Sequence, residues 1–197
     1  MWQEVFNWIW LALLLTIIAV RKAHEFRSGQ RLILSGTPFL EAALMVLWGV
    51  AASVVPVLYM FSTWLDFADL PLEVPPVLGA FGIALFSIAI WLLHRSHSDL
   101  GKHWSPSVEP EEKLQSLVVN GVYQRIRHPM YAAHILWGVA QALTFPNLIA
   151  GPMALVLILL VLALRIPREE RAMIDKFGDS YRHYMSRTGR LLPKLHI

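Results

Sequence analysis

PMYAAHILWGVAQALTFPNLIAGPMALVLILLVLAL, residues 129–164, runs for 36 positions without an Asp, Glu, Lys or Arg. A single helix of that length would reach ~54 Å at 1.5 Å per residue, against a bilayer core of ~30 Å. Two breaks divide the stretch, Phe145-Pro146-Asn147 and Gly151-Pro152. Proline inside a helix removes a backbone donor and clashes with the preceding turn. The stretch therefore reads as a hairpin of two apolar helices that returns the chain to the face it left. An all-α polytopic membrane protein is the expected fold class.

Composition agrees. Of 197 residues, 56% are hydrophobic and 16% charged, where a soluble domain carries ~25% charged residues. Residues 5–20 are uncharged and, with Trp2, approach the ~20 positions of a spanning helix; Arg21-Lys22 closes them. A cleaved signal peptide places its charge before the apolar core, so an uncleaved first helix with its N-terminus outside is expected. A second run covers 39–61, with Glu41 near its start and Pro56 inside, where a kink is expected. A third covers 75–93, opened by Pro75-Pro76 and carrying Gly79 and Gly82, which suit close helix packing. With the hairpin, five membrane helices result. Residues 1–93 form three N-terminal helices of a single membrane domain (1–197), and residues 94–197 carry the hairpin and a tail helix.

All 17 Lys and Arg fall in three segments, 21–31, 95–127 and 165–194. The connections 62–74 and 145–151 have none, and the former holds Asp66, Asp69 and Glu73. This is the positive-inside asymmetry, and it assigns the basic face and the C-terminus to the cytoplasm. Trp64 and Trp104 are expected as interfacial aromatics on opposite sides. The 94–128 connection and the 165–197 tail are the only stretches polar enough to build water-soluble chemistry. The tail reads as a helix from about Pro167 to Met185, with Ala172, Ile174, Phe177, Tyr181 and Tyr184 as a loose apolar stripe.

His128-Pro129 opens the hairpin. Proline suits a first helical position, and a helix N-terminus also favours an anion or cofactor. Pro167-Arg168-Glu169-Glu170 reads as a helix start with acids stabilised by the dipole, or as buried carboxylates in need of partners. His94 and His97 stand at i, i+3 with His103 beyond, but the chain has no cysteine and no HExxH, so no metal is expected. His134 is an ionisable group inside an apolar run, which marks it for attention. Gly79 and Gly82 are not a dinucleotide fingerprint, which needs a βαβ setting. Basic residues interleaved with membrane-length apolar runs speak against nucleic acid.

Two blocks, LVVNGVYQRIRHPMY (117–131) and RIPREERAMIDKFGDSYRHYMSRTGRLLP (165–193), together resemble the isoprenylcysteine carboxyl methyltransferase family. DLGKHWSPSV (99–108) is similar to the loop preceding them, so the resemblance covers about residues 99–193. It implies an integral-membrane methyltransferase that uses S-adenosylmethionine, releases S-adenosylhomocysteine and lacks a glycine-rich nucleotide loop, with 94–197 as its catalytic region. By the same resemblance Gln115, Ser116, Leu117, Val118 and Tyr123 line the cofactor, His128, Pro129, Met130 and Tyr131 hold it, and Glu169 contacts it with Glu170 alongside. Arg165 matches the arginine assigned to the substrate carboxylate, and Arg165 and Glu169 are the expected catalytic pair. The implied partners are a lipophilic, prenylcysteine-like carboxylate and membrane lipid. Ala133 stands where the family often has Gly, which would narrow a tail-binding tunnel. Methylation of a phospholipid amine, and a non-catalytic scaffold or transporter, are the competing readings.

Overall fold

The computed structural model describes residues 2–28, 37–71, 73–101 and 116–194. Helix α1 spans Trp2–Ser28, α2 Phe39–Gly49, α3 Val55–Phe61, α4 Pro76–Leu100, α5 Pro129–Thr144, α6 Met153–Phe177 and α7 Asp179–Arg187. A π-helical turn, Val50–Val54, joins α2 to α3, and short 3-10 turns lie at Asp66–Ala68 and Gly121–Gln124. Among the described residues, extended pairing is limited to two isolated bridges, so the chain is all-helical.

Three segments are long and apolar enough to cross a membrane: Trp2–Arg27, Phe39–Phe61 and Pro76–Leu100. The expected fourth and fifth fall outside that measure. Helix α5 has 16 residues, short of the ~20 needed to span, and α6 gains charge from Arg165 onward. Large apolar side chains face outward, among them Trp8, Leu15, Val77 and Trp91, as a lipid surroundings requires. Inside, Trp10 of α1 packs between Phe86 of α4 and Phe145, at ring centroid distances of 5.6 and 5.1 Å. The helices approach closely where glycine permits it. A Cβ on Gly82 would lie 2.7 Å from Thr144 Oγ1, and one on Gly138 would lie 2.8 Å from the Leu155 Cα.

Pro56 produces a π turn rather than a simple kink. In that turn Val55 N–H bonds to the Val50 carbonyl, five residues back. The same pattern would pair the Ala51 carbonyl with residue 56, but proline has no N–H. Gln141 of α5 fills the gap: its Nε2 donates to Ala51 O at 2.9 Å and to Ala150 O at 2.7 Å. One buried amide thus satisfies a carbonyl in the second helix and one in the hairpin turn.

The two connections without basic residues meet. Asn147 Nδ2 donates to Leu65 O (2.8 Å) and Asp69 Oδ1 (2.9 Å), while its Oδ1 accepts from the N–H groups of Ile149 and Ala150. Leu70 N–H bonds to Pro146 O and Leu148 N–H to Ala68 O, both at 2.9 Å. The described basic residues of α1 and α4 lie at the far ends of helices that start beside these connections.

Two boundaries differ from expectation. Helix α4 continues past residue 93 to Leu100. Pro167 does not start a tail helix: α6 runs through it from Met153 to Phe177, and the break falls at Gly178, whose φ of 54° only glycine adopts readily. Ion pairs on both sides of Pro167, described below, hold the helix continuous. Glu169 and Glu170 therefore lie deep within a helix, and ion pairing replaces the expected dipole as their stabilisation.

Replacing Gln141 by Leu should lower the thermal unfolding midpoint in detergent, at about 1–3 kcal/mol for each carbonyl left unpaired. An unchanged midpoint would mean that Ala51 and Ala150 find other donors.

Candidate active site

The site forms where the N-terminus of α5 meets the middle of α6 and the chain after α7. Pro129 occupies the first position of α5, where its missing N–H costs nothing. Immediately before it, backbone pairs with the tail: Arg127 N–H bonds to Gly189 O (2.9 Å), His128 N–H to Arg190 O (3.0 Å) and Gly189 N–H to Arg125 O (3.1 Å). Upstream, Asp99 of α4 accepts from Val122 N–H at 2.9 Å. Tyr184 of α7 donates its hydroxyl to Tyr123 O at 2.6 Å. His128 is thereby fixed from both sides.

Glu170 ties these strands of chain together. Its side chain is 5% exposed and takes Arg127 Nε at 3.0 Å and Arg190 Nη2 at 2.6 Å. Arg127 also donates to the carbonyls of Met185 (3.2 Å) and Thr188, at the end of α7 where carbonyls lack helical partners. His128 lies between the two acids, with Nδ1 3.6 Å from Glu169 Oε2 and Nε2 3.4 Å from Glu170 Oε1. That Nε2 is buried and has no hydrogen-bond partner among the described residues.

One turn before the acids stands Arg165, 6% exposed. Its Nε donates to Tyr131 OH at 2.7 Å and to Glu169 Oε1 at 2.9 Å. Tyr131 OH itself donates to the same Glu169 oxygen, and its ring stacks on His128 with centroids 5.4 Å apart. On its other edge, Arg165 Nη1 donates to Glu41 Oε1 at 2.9 Å and lies 3.5 Å from Met45 Sδ. Glu41, 1% exposed, also accepts from Arg168 Nη1 through Oε2.

Of the residues singled out in the sequence, the fold brings His128, Tyr131, Arg165, Glu169 and Glu170 into mutual reach. Tyr123 is buried beside them, and burial pushes its phenol up in pKa, so it stays neutral. Ser116, Leu117 and Val118 lead into the 3-10 turn at Gly121, and none of the bonds above involves them. Gln115, His103 and Trp104 lie outside the described residues, as do positions 102–108 of the preceding loop. Ala133 is buried in the helical core together with Ala132 and Trp137. His94 and His97 meet His24 of α1 instead of a site acid: His24 Nε2 is 3.2 Å from His94 Nδ1, and its ring stacks on His97. Among the described residues no group of His, Asp and Glu could hold a metal ion. His134 packs edge-on against Trp48 at 4.8 Å. Three site residues were not anticipated: Glu41, Arg127 and Arg190. A lone acid in an apolar run was the available signal for Glu41. Arg127 and Arg190 lie inside the two motif blocks, 117–131 and 165–193, which was the available signal for them.

Glu170 has consequences for acid stability. Burial alone would raise its carboxyl pKa. The contact with His128 and the hydrogen bonds from Arg190 and Arg127 outweigh burial and bring it down to about 2. A carboxyl depressed in the folded state stabilises fully above its unfolded value of 4.5, and that contribution is lost as pH falls from there towards about 2. The thermal midpoint in detergent should therefore drop across that window, and the drop should be smaller in Glu170→Gln. Equal acid sensitivity of the two proteins would count against the assignment.

A family model described as phospholipid methyltransferase matches residues 77–180, more than half of the chain. Protein-S-isoprenylcysteine O-methyltransferase B of Arabidopsis thaliana is 34% identical over 82 residues, 42% of this chain and 42% of that protein. The protein-S-isoprenylcysteine O-methyltransferase of Rattus norvegicus is 27% identical over 132 residues, 66% of this chain and 42% of its own length. Methanethiol S-methyltransferase of Pseudomonas deceptionensis is 26% identical over 197 residues, 93% of this chain and 71% of that protein. The chain thus spans under half the length of the isoprenylcysteine relatives it matches. The matched region contains α5, α6, His128, Tyr131, Arg165 and both acids. The chain belongs to the phospholipid methyltransferase family.

Proposed function

We propose that this protein methylates the carboxylate of a lipophilic, prenylcysteine-like substrate at the membrane interface, using S-adenosylmethionine. The observation that carries the reading is the meeting of Arg165, Glu169, Tyr131 and His128, from two blocks separated by the apolar hairpin. In this reading α5 and α6 complete a five-helix membrane domain, with the N-terminus outside and the basic face and C-terminus cytoplasmic.

The residues present fit the cofactor. An amino-acid end needs an acceptor for its ammonium and a donor for its carboxylate. Glu169, whose side chain is 20% exposed, is the more open of the two acids. His128 Nε2 is buried, with Glu170 Oε1 3.4 Å away and no hydrogen bond within normal geometry among the described residues, and Arg190 is half exposed. His128, Pro129, Met130, Tyr131, Glu169 and Glu170 would hold it, with Gln115–Val118 and Tyr123 completing the lining. When bound, S-adenosylmethionine supplies a methyl group on a sulfonium, and the broken S–C bonding pair stays on sulfur.

The chain's own work is alignment. A carboxylate is ionised at neutral pH, so a lone pair on its oxygen forms the new O–C bond and no general base is required. Arg165 would orient that oxygen with its planar fork of donors. Tyr131 and Glu169 fix the plane of the fork by holding Nε. Correct alignment contributes up to ~7–11 kcal/mol of barrier reduction. Cation and anion become two neutral products, a change favoured where water is scarce.

Calorimetry on detergent-purified protein should show binding of both S-adenosylmethionine and S-adenosylhomocysteine, and Glu169→Ala should weaken both. Arg165→Lys should keep cofactor binding and lose about a hundredfold in transfer, as expected of a displaced acceptor. Wild-type protein that binds neither compound would rule the reading out.

A further inference from the structure

Glu41 belongs to neither motif block, yet it is the most deeply buried acid of the site. Its side chain is 2% exposed, and it reaches across from α2 to residues more than 120 positions away on α6. We propose that Glu41 is the exchangeable counter-ion of Arg165: it occupies Nη1 in the substrate-free protein, yields it to the substrate carboxylate, and reclaims it once that carboxylate is esterified. The inference rests on Arg165 being the carboxylate-binding residue.

Four observations carry it. First, the Arg165 side chain is 7% exposed; Glu169 meets its Nε, and a buried Nη1 donor needs an acceptor of its own. Glu41 supplies that acceptor where a substrate acid is absent. Second, Glu41 divides its two oxygens, Oε1 to Arg165 and Oε2 to Arg168. The Arg168 side chain is 35% exposed and can follow Glu41 towards solvent. Glu41 thus stays paired when Oε1 is released. Third, Tyr131 and Glu169 hold the opposite edge of Arg165 through Nε. The Nη1 bond can change hands without turning the guanidinium. Fourth, Met45, one helical turn after Glu41, lies against the same Nη1. A thioether side chain adapts its shape with little cost, so that nitrogen can accept a new neighbour.

Charge decides the direction of exchange. Arg165 and Arg168 balance Glu41 and Glu169 within this set of ion pairs. A substrate carboxylate competes with Glu41 as one anion with another. The ester product carries no charge and cannot keep Glu41 away from Arg165. Glu41 would therefore return Arg165 to a paired state once the acid is esterified, while lowering the affinity for the acid itself.

The test measures binding without turnover, on protein saturated with S-adenosylhomocysteine. The probes are N-acetyl-S-farnesylcysteine and its carboxamide, which has the same tail and no charge. Glu41→Gln keeps the shape and removes the competing charge, so it should tighten the acid about tenfold and leave the carboxamide unchanged. Arg168→Gln removes the residue that draws Glu41 away, so it should weaken the acid several-fold and again spare the carboxamide. If Glu41→Gln does not fold, the opposite-signed effect of Arg168→Gln decides alone. Parallel weakening of acid and carboxamide in both variants would show a purely structural Glu41 and overturn the proposal. Wild-type protein that holds its cofactor but binds no acid would remove the carboxyl methyltransferase reading, and the exchange with it. Acid binding that weakens in Arg165→Lys but does not tighten in Glu41→Gln would remove the exchange alone.

Discussion

Arg165 is a guanidinium at the end of an apolar helical run, nearly sealed from solvent. Removing such a group from water costs several kcal/mol unless charges and hydrogen bonds replace hydration. Glu41, Glu169 and Tyr131 supply them from three helices. Satisfying one cation therefore fixes the relative positions of α2, α5 and α6 at the basic end of the molecule. The same pairs stand on either side of Pro167, with Glu41 bridging Arg165 to Arg168 and Arg165 reaching Glu169. That is why α6 passes through a proline that would otherwise end it.

A second cation, Arg127, performs the corresponding task for the tail. It joins Glu170 of α6 to the carbonyls at the end of α7, while the backbone on either side of it pairs with Gly189 and Arg190. Glu169 and Glu170 are neighbours in sequence and both approach His128, but they pair with different arginines. Glu169 shares an oxygen between Arg165 and Tyr131, and Glu170 closes the tail over His128. A single residue step on one helix thus separates the part of the site that holds Arg165 from the part that holds the chain's end in place.

The sequence made the helices legible because membrane length and charge exclusion are local properties. The uncharged run 129–164, its breaks at Pro146 and Gly151-Pro152, and the segregation of basic residues were readable without any contact. The meeting of the two acidic or uncharged connections through Asn147 agrees with that segregation. Helix ends were less legible. Pro167 carried the local signature of a start, and long-range ion pairs overrode it. The site was half legible. His128, Tyr131, Arg165, Glu169 and Glu170 came from two motif blocks. Glu41 came from neither, because its partners are more than 120 residues away and nothing in its own neighbourhood announces them. Pro56 foretold a disturbance, but not that Gln141 would absorb it.

The placement of the site suits the proposed reaction for a reason independent of any motif. Joining a sulfonium and a carboxylate into neutral products is opposed by water, which stabilises the separated ions. A fully dry site would favour the products but could not admit the ions at a tolerable cost. The observed site lies between these limits. Arg165 and Glu41 are sealed among apolar residues of α2 and α6, whereas Arg190 and Arg168 reach solvent. Charges can enter at the open side, where pairing costs little, and react at the closed side, where their annihilation gains most. Within a single helical turn of α6 the Arg168 side chain is 35% exposed and that of Arg165 7% exposed, and that difference provides the gradient between the two arginines.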